Sequence, residues 1–479
     1  MKKIRKPFGA SYPLEEEGRS WFDVYKIISR GKPDHVLLES GRGGRYSFIG
    51  LSPFAKLRGK DGLLEVEQGT AKSVFKGPLL SSLRSWLKEY ETETAEMLPD
   101  FQGGLIGQFS YDLVREVEDL PKSAEDDLLT EDIFLLAFDS FYVIDHLEKR
   151  RWNIAVASSE KEAQKELDSL EASWAQASKE ALPQFHQAES PPENEVPVRS
   201  FSEPDFARAV EQTKQYIAQG DVFQVNLSVR ETRKQTTEPM HVYEHLRKLN
   251  PSPYMAFMQT PELQYISASP ELLVKVKGNE VSTRPIAGTR SRGKNEAEDQ
   301  ELAETLLSNE KERAEHIMLV DLERNDLGRV CTYGSVEVNE LMVIEKYSHV
   351  QHIVSNVRGK KSPDFDILDV IAATFPGGTI TGAPKIRTME IIEELEPVRR
   401  GAYTGAMGWI GFNHDMELNI TIRTMIAKEG EVHVQAGAGI VIDSSPQAEY
   451  RESLKKAKAL WKAKELSELE AAEQRRILR

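Results

Sequence analysis

EVHVQAGAGIVIDSSPQAEYRES, residues 431–453, holds the two kinds of element that decide the architecture. Its first half reads as a strand with apolar residues on both faces, and Gly437 and Gly439 let another group approach the backbone closely. Its second half reads as a helix on which Glu449 and Glu452 stand three residues apart, with Lys456 one turn beyond. Strands apolar on both faces occur where helices or a second sheet cover them. The same kind of strand recurs in VFQVNLSVR (222–230), PYMAFMQ (253–259), LQYISAS (263–269), ELLVKVKG (271–278), VIEKYSHVQHIVSNV (343–357), AMGWIGF (406–412) and LNITIRTMIA (418–427). Helical stretches alternate with them, the first capped by Ser202 and carrying Phe206, Val210, Tyr216 and Ile217. The pattern predicts an α+β fold, a large two-sheet β sandwich with helices on the outside.

Working toward the N-terminus, AQASKEALPQFHQAESPPENEVPVR (175–199) is rich in Pro, Glu and Ser, lacks apolar periodicity and reads as a linker. Before it lie strand-like HVLLES (35–40), RYSFIGL (45–51), GGLIGQFSYD (103–112) and DIFLLAFDSFYVIDH (132–146), then an amphipathic helix over about 160–174. The expected organisation is an N-terminal region 1–174, the linker, a main region 200–465 and a charged tail 466–479.

Composition narrows the function. The chain has 479 residues and a formal charge of −15, which argues against a nucleic-acid partner. One cysteine, Cys331, leaves no intramolecular disulfide and fits a reducing compartment. No apolar run reaches the ~20 residues that span a bilayer, and the charges of MKKIRKPFG are not followed by an apolar core. The expectation is a cytoplasmic protein without a membrane partner.

The acidic spacing of 449 and 452 has a counterpart in NEKERAEHIML (309–319), where Glu312 and Glu315 share a helix face. Two carboxylate pairs from distant segments suit a hard cation such as Mg2+, which is usually shared with an anionic substrate. FPGGTITGAPKIRTME (375–390) joins a glycine-rich turn to a helix starting near Ala383, where backbone N–H groups and the Thr379 hydroxyl can bind an anion. It lacks the residue order of a P-loop. Arg423 is a charge within apolar NITIRT, and pointing inward it would match a carboxylate with its forked donors.

Together these stretches resemble the chorismate-utilising enzymes, which include the first components of anthranilate and aminodeoxychorismate synthases and the isochorismate and salicylate synthases. SASPELLV, RPIAGTRSRG, EKERAEHIMLVDLERNDLGRV, EKYSHVQHIVS, FPGGTITGAPKIRTMEII, RRGAYTGAMGWIGF, ITIRT and VQAGAGIVIDSSPQAEYRES carry the likeness. LLESGRGGRYSFIGL and FQGGLIGQFSYD extend it to the N-terminal half, as an accessory region of the anthranilate synthase component I type. The resemblance implies that fold, Mg2+ on Glu315 and Glu452 with Glu312 and Glu449 supporting, and chorismate carboxylates held by Thr379, Tyr403, Arg423, Gly437, Gly439 and Lys456. It implies that Glu271 is the acid protonating the departing C4 hydroxyl and that His352 shapes and polarises the site. It also implies a separate glutamine amidotransferase subunit as ammonia donor, since Cys331 in RVCTYGS is not in a nucleophile elbow.

Product is a matter of local residues. Members that activate water resemble one another in a lysine base where this chain has Gln224, so an amine nucleophile is expected. QVNLS and FPGGTITGAPK resemble the aminodeoxychorismate synthases, and HVLLESGRGGRYS and DLERNDLGRV most resemble component I of the Bacillus type. Ala287 in PIAGT instead resembles the anthranilate synthases, because some aminodeoxychorismate synthases place a covalent lysine there. The expected activity is amination of chorismate to 4-amino-4-deoxychorismate for 4-aminobenzoate and folate, with anthranilate formation as the alternative. A non-catalytic binding protein is the remote rival, though it would be expected to lack Glu271, Glu315 or Glu452. Ser40 in LLES and Pro251, Tyr254 and Met255 in NPSPYM resemble the walls of a tryptophan pocket.

Overall fold

Each strand of DIFLLAFDSFYVIDH divides its side chains between two cores. In Ile133–Phe138, residues Phe134, Leu136 and Phe138 face one cluster while Ile133, Leu135 and Ala137 face another, as the period of two in a strand requires. The computed structural model describes residues 5–14, 19–41, 43–182, 195–346 and 350–477, and shows why both faces are apolar. Two antiparallel sheets, each of twelve strands among the described residues, stack on a shared core that includes Val36, Phe48, Ile106, Phe134, Tyr265, Met407 and Trp409. Helices cover the outer faces. On one, Tyr25, Tyr243, Leu246, Leu460 and Trp461 pack over Leu37, Phe257 and Met425. On the other, Leu83, Trp86, Val320, Leu327 and Ile371 cover Leu57, Val274 and Leu418.

The first sheet runs Lys6–Pro13, Arg150–Ala157, Ser140–Asp145, Tyr46–Leu51, His35–Glu39, Tyr254–Gln259, Leu263–Ser269, Thr424–Lys428, Glu431–Ile440, Gln224–Lys234, Val198–Arg199. The short strand Gly382–Ala383 adds to Gln224–Lys234. The second runs Ile286–Ser291, Val350–Lys360, Glu280–Thr283, Leu272–Lys277, Met416–Ile420, Ala406–Gly411, Gly104–Phe109, Ile133–Phe138, Ala55–Lys60, Leu63–Gln68, Ala71–Lys76, and Glu337–Lys346 pairs with Val350–Lys360. Both sheets therefore take strands from both sides of the 175–199 segment. His35–Glu39 pairs with Tyr254–Gln259, and Gly104–Phe109 pairs with Ala406–Gly411. No described helix is long and apolar enough to cross a membrane.

Several boundaries differ from expectation. DIFLLAFDSFYVIDH is two strands in different sheets, divided at Asp139, and LNITIRTMIA likewise changes sheet, with Arg423 at the crossing in the left-handed region (φ 52°). VIEKYSHVQHIVSNV spans a hairpin of two strands, with 347–349 outside the described residues. The helix after Ser159 extends over Glu160–Ala177, past the expected linker start, while 183–194 of the linker lie outside the described residues. The helix expected near Ala383 starts at Lys385. Residues after 465 continue the helix Lys458–Ile477, and Ser467 within it is buried against Thr237 and His241, so up to Ile477 this segment is part of a packed helix.

Candidate active site

Glu271 sits where the chain leaves Leu263–Ser269 in one sheet for Leu272–Lys277 in the other. It is 7% exposed and its Oε1 is buried without a formed hydrogen bond, as is Thr379 Oγ1 from the glycine-rich turn. Burial pushes the Glu271 carboxyl up to about 7, against the opposing pull of Thr379 and Lys456. An acid that is half protonated near neutrality, beside an unsatisfied hydroxyl, is equipped to give a proton to a bound group.

The residues around it form a continuous set. Lys456 ends the helix Pro446–Lys456, donates to the Gly437 carbonyl at 2.9 Å and pairs with Glu452 at 3.0 Å. Its charge also lowers the pKa of both Glu271 and Glu315, so the two glutamate-bearing helices converge there. Glu315 lies on Glu310–Gly328, which Asn309 caps by accepting from the Glu312 N–H. Burial and then Glu312 raise the Glu315 carboxyl, while a hydrogen bond from Gln224 lowers it. Gln224 in turn covers Gly439, where a Cβ would stand 2.4 Å from Gln224 Nε2. Asn226, two residues on, donates to the Thr379 carbonyl at 3.1 Å.

Across the site, a Cβ on Gly437 would meet the Leu227 carbonyl oxygen at 2.5 Å and the Tyr403 hydroxyl at 2.9 Å, so this glycine makes room for both the neighbouring strand and the phenol. Arg423 neighbours Tyr403, and burial lowers the guanidinium's pKa because no carboxylate faces it among the described residues. An inward, uncompensated guanidinium is a seat for a carboxylate ligand. His352 lies close to Arg423, and its Nδ1 is 3.0 Å from the Gly288 carbonyl, with the Thr289 hydroxyl at 3.1 Å. Burial, with a contribution from Arg423, keeps this imidazole below its ordinary pKa. With Nδ1–H donating to Gly288, Nε2 is left as the acceptor. Gly288, at φ 62° in a strand irregularity, permits the approach of Glu312, whose Oε2 would lie 2.9 Å from a Cβ there. Ala287 beside it is 9% exposed and supplies no nucleophile.

The proposed cation donors are all carboxylate oxygens, the set a hard cation prefers. Glu315 is half-buried beside Glu312, and burial followed by the Glu312 carboxylate raises its carboxyl, a repulsion that a cation between the two would relieve. Glu312 also pairs with Arg290 at 3.1 Å, and Glu449 lies one turn before Glu452. These four glutamates do not gather three ligand atoms within 4.8 Å; among the described residues only His241, His245 and Glu470 do. They fit a cation shared with a bound anion rather than a closed cage.

Sequence reasoning missed Glu323. It lies further along the Glu310–Gly328 helix, is 4% exposed, and burial followed by Asp326 pushes its carboxyl up to about 8, with Lys385 and Thr283 opposing and Glu271 adding to the rise. Its distance of eleven residues from Glu312 continues one helical face, the signal that could have marked it. Ser40, Tyr254 and Met255 line a cleft of about 900 Å³ that also touches Trp409, Lys275 and Arg284; Pro251 does not line it. That cleft contains none of the carboxylates above, so the chemistry lies beside it. Cys331 is buried, its thiol pushed up to about 11 by burial, and is no nucleophile.

Gly439→Ala provides a local test. The new methyl meets only the end of a flexible side chain, so the variant is expected to fold and melt normally while losing roughly ten- to a hundredfold in kcat/KM as Gln224 leaves Glu315. Unchanged kinetics on chorismate would show that Gln224 has no positioning role.

A family model for chorismate binding enzymes matches residues 34–462. The chain is 53% identical over 469 residues to aminodeoxychorismate synthase component 1 of Bacillus subtilis, covering 97% of this chain and 98% of that protein. It is 43% identical over 443 residues to anthranilate synthase component 1 of Aquifex aeolicus, covering 91% and 90%. The crystal structure of anthranilate synthase component I from Streptococcus pneumoniae superposes with a TM-score of 0.77 at 36% identity, covering 87% of this chain and 92% of that one.

Proposed function

Because the chain belongs to the chorismate-binding enzymes, we propose that it is the first component of an aminodeoxychorismate synthase, aminating chorismate to 4-amino-4-deoxychorismate. The observation that carries the reading is the 53% identity along nearly the whole chain to the Bacillus subtilis protein, against 43% to an anthranilate synthase.

In this reading Arg423 and Tyr403 hold one substrate carboxylate, and the unsatisfied Thr379 hydroxyl and the Lys456 ammonium, which is placed by Gly437 and Glu452, meet the other. Glu271 gives its proton to the departing C4 hydroxyl and returns as carboxylate beside Lys456. His352, held below its ordinary pKa by burial and anchored through Nδ1 to the Gly288 carbonyl, helps to shape and polarise the site. Gln224 carries no basic nitrogen, which suits ammonia, a nucleophile that already has its lone pair. Glu315 and Glu452, backed by Glu312 and Glu449, would hold Mg2+, which supplies positive charge to the ring carboxylate. Ammonia comes from a separate glutamine amidotransferase subunit, and the setting is the cytoplasm.

Ala287 favours the second reading, anthranilate synthesis, since no lysine is present to occupy C2. One assay separates the two. The isolated chain with chorismate, Mg2+ and ammonium at mildly alkaline pH is expected to make product, whereas glutamine alone is not. Product should become 4-aminobenzoate only when an aminodeoxychorismate lyase is added, with no covalent adduct at position 287. If 2-aminobenzoate dominates with and without lyase, the amination is at C2 and the proposal fails.

A further inference from the structure

We propose that His241, His245 and Glu470 form a binding site for a divalent transition metal of the zinc class, clamping the C-terminal helix to the outer face of the first sheet. His241 and His245 are one turn apart on Pro239–Leu249, and Glu470 comes from Lys458–Ile477. Their ligand atoms all lie within 4.8 Å of one another, the one such group among the described residues. Glu470 Oε2 is 3.0 Å from His245 Nε2 and 3.6 Å from His241 Nε2. Two ligands at ~2.0–2.1 Å from a tetrahedral zinc ion stand ~3.3 Å apart, so the spacing suits an ion drawn between them.

Two further features point to a ligand. His245 Nε2 is buried without a formed hydrogen bond, although it is aimed at a carboxylate. His241 Nδ1 is 2.9 Å from Ser467 Oγ, which donates to Thr237 Oγ1 at 2.8 Å. With its hydroxyl proton committed to Thr237, Ser467 accepts from Nδ1–H, which leaves the Nε2 lone pair of His241 facing Glu470. Such an outer partner fixes a metal-ligating imidazole in the required tautomer. The imidazole rings are inclined at 67°, with centroids 4.8 Å apart, so they converge edgewise rather than stack. Two imidazoles and one carboxylate suit Zn2+ or Co2+, whereas Mg2+ prefers oxygen alone. Glu470 is 47% exposed on its side chain, which opens a path of entry and a fourth position for water.

The ligands stand on helices packed over Leu37 and Phe257, and the clamped helix follows directly from the one bearing Glu452 and Lys456. Its loading is therefore expected to stabilise the chain without replacing the Mg2+ requirement.

The test uses the untagged full-length chain, stripped with chelator and titrated with Co2+ by visible absorption and with Zn2+ by calorimetry. One equivalent is expected, bound about tenfold or more tightly than by His245→Gln or Glu470→Gln, with Ser467→Ala also weakened about tenfold. Glu315→Gln should bind Co2+ here as wild type does. Zn2+ should raise the melting temperature of wild type and leave that of Glu470→Gln, an exposed and foldable substitution, unchanged. If wild type binds Co2+ and Zn2+ no more tightly than Glu470→Gln, the cluster is only a histidine–glutamate ion pair and the proposal is overturned.

Discussion

Glu271→Gln is expected to lower kcat by roughly 10²- to 10⁴-fold, the usual worth of a general acid, while making the protein more stable at pH 8. The two effects have one cause. Burial raises this carboxyl from 4.5 to about 7, so the folded chain holds the proton more tightly than the unfolded chain does. The stability from that preference is fully present below about 4.5 and is lost as pH rises through about 7. At pH 8 the buried carboxylate therefore costs on the order of 3 kcal/mol, which a neutral amide avoids. The variant should melt higher than wild type at pH 8 and alike near pH 4. For wild type, kcat at constant free ammonia should fall above pH 7 as the acid form is depleted. A variant retaining more than a tenth of wild-type turnover would remove Glu271 from the proton transfer.

Glu315→Gln and Glu452→Gln should each cost at least ~100-fold in turnover at ordinary Mg2+, beyond the upper end of what a supporting partner contributes. The two differ in what they disturb. Glu315 is half-buried against Glu312, so its amide relieves a repulsion and should leave melting unchanged or raised. Glu452 is exposed and paired with Lys456, so its amide frees that lysine to move from the Gly437 carbonyl. Raised KM for chorismate is therefore expected in Glu452→Gln beyond any change in Mg2+ dependence. Near-normal activity in either variant at low Mg2+ would exclude it from the cation.

Much of this was legible in residue patterns. The alternation of Phe134, Leu136 and Phe138 with Ile133, Leu135 and Ala137 announces a strand covered on both sides, and hence the sandwich. Changes of sheet were not legible, because Asp139 and Arg423 interrupt runs whose period of two is the same before and after them. Spacing exposed Glu312, Glu315, Glu449 and Glu452, since each pair is local in sequence. Glu323 escaped because its mark, a place eleven residues beyond Glu312 on the same helical face, is one that solvated glutamates share; its burial comes from the folded chain. His241 and Glu470 escaped for the opposite reason, standing more than 200 residues apart, with Glu470 in a charged stretch that reads as a tail.

Strand pairing across the two halves also sets a timetable for the newborn chain. His35–Glu39 has one neighbour in Tyr46–Leu51, but its other is Tyr254–Gln259, and Gly104–Phe109 waits for Ala406–Gly411. At ribosomal speeds of ~5–20 residues per second, those edges stay open for on the order of 10–60 s after they emerge. During that interval an apolar, hydrogen-bond-hungry margin is bare, and another chain can occupy it. Recombinant yield should therefore depend on elongation rate and holding chaperones more than on the melting temperature of the finished enzyme.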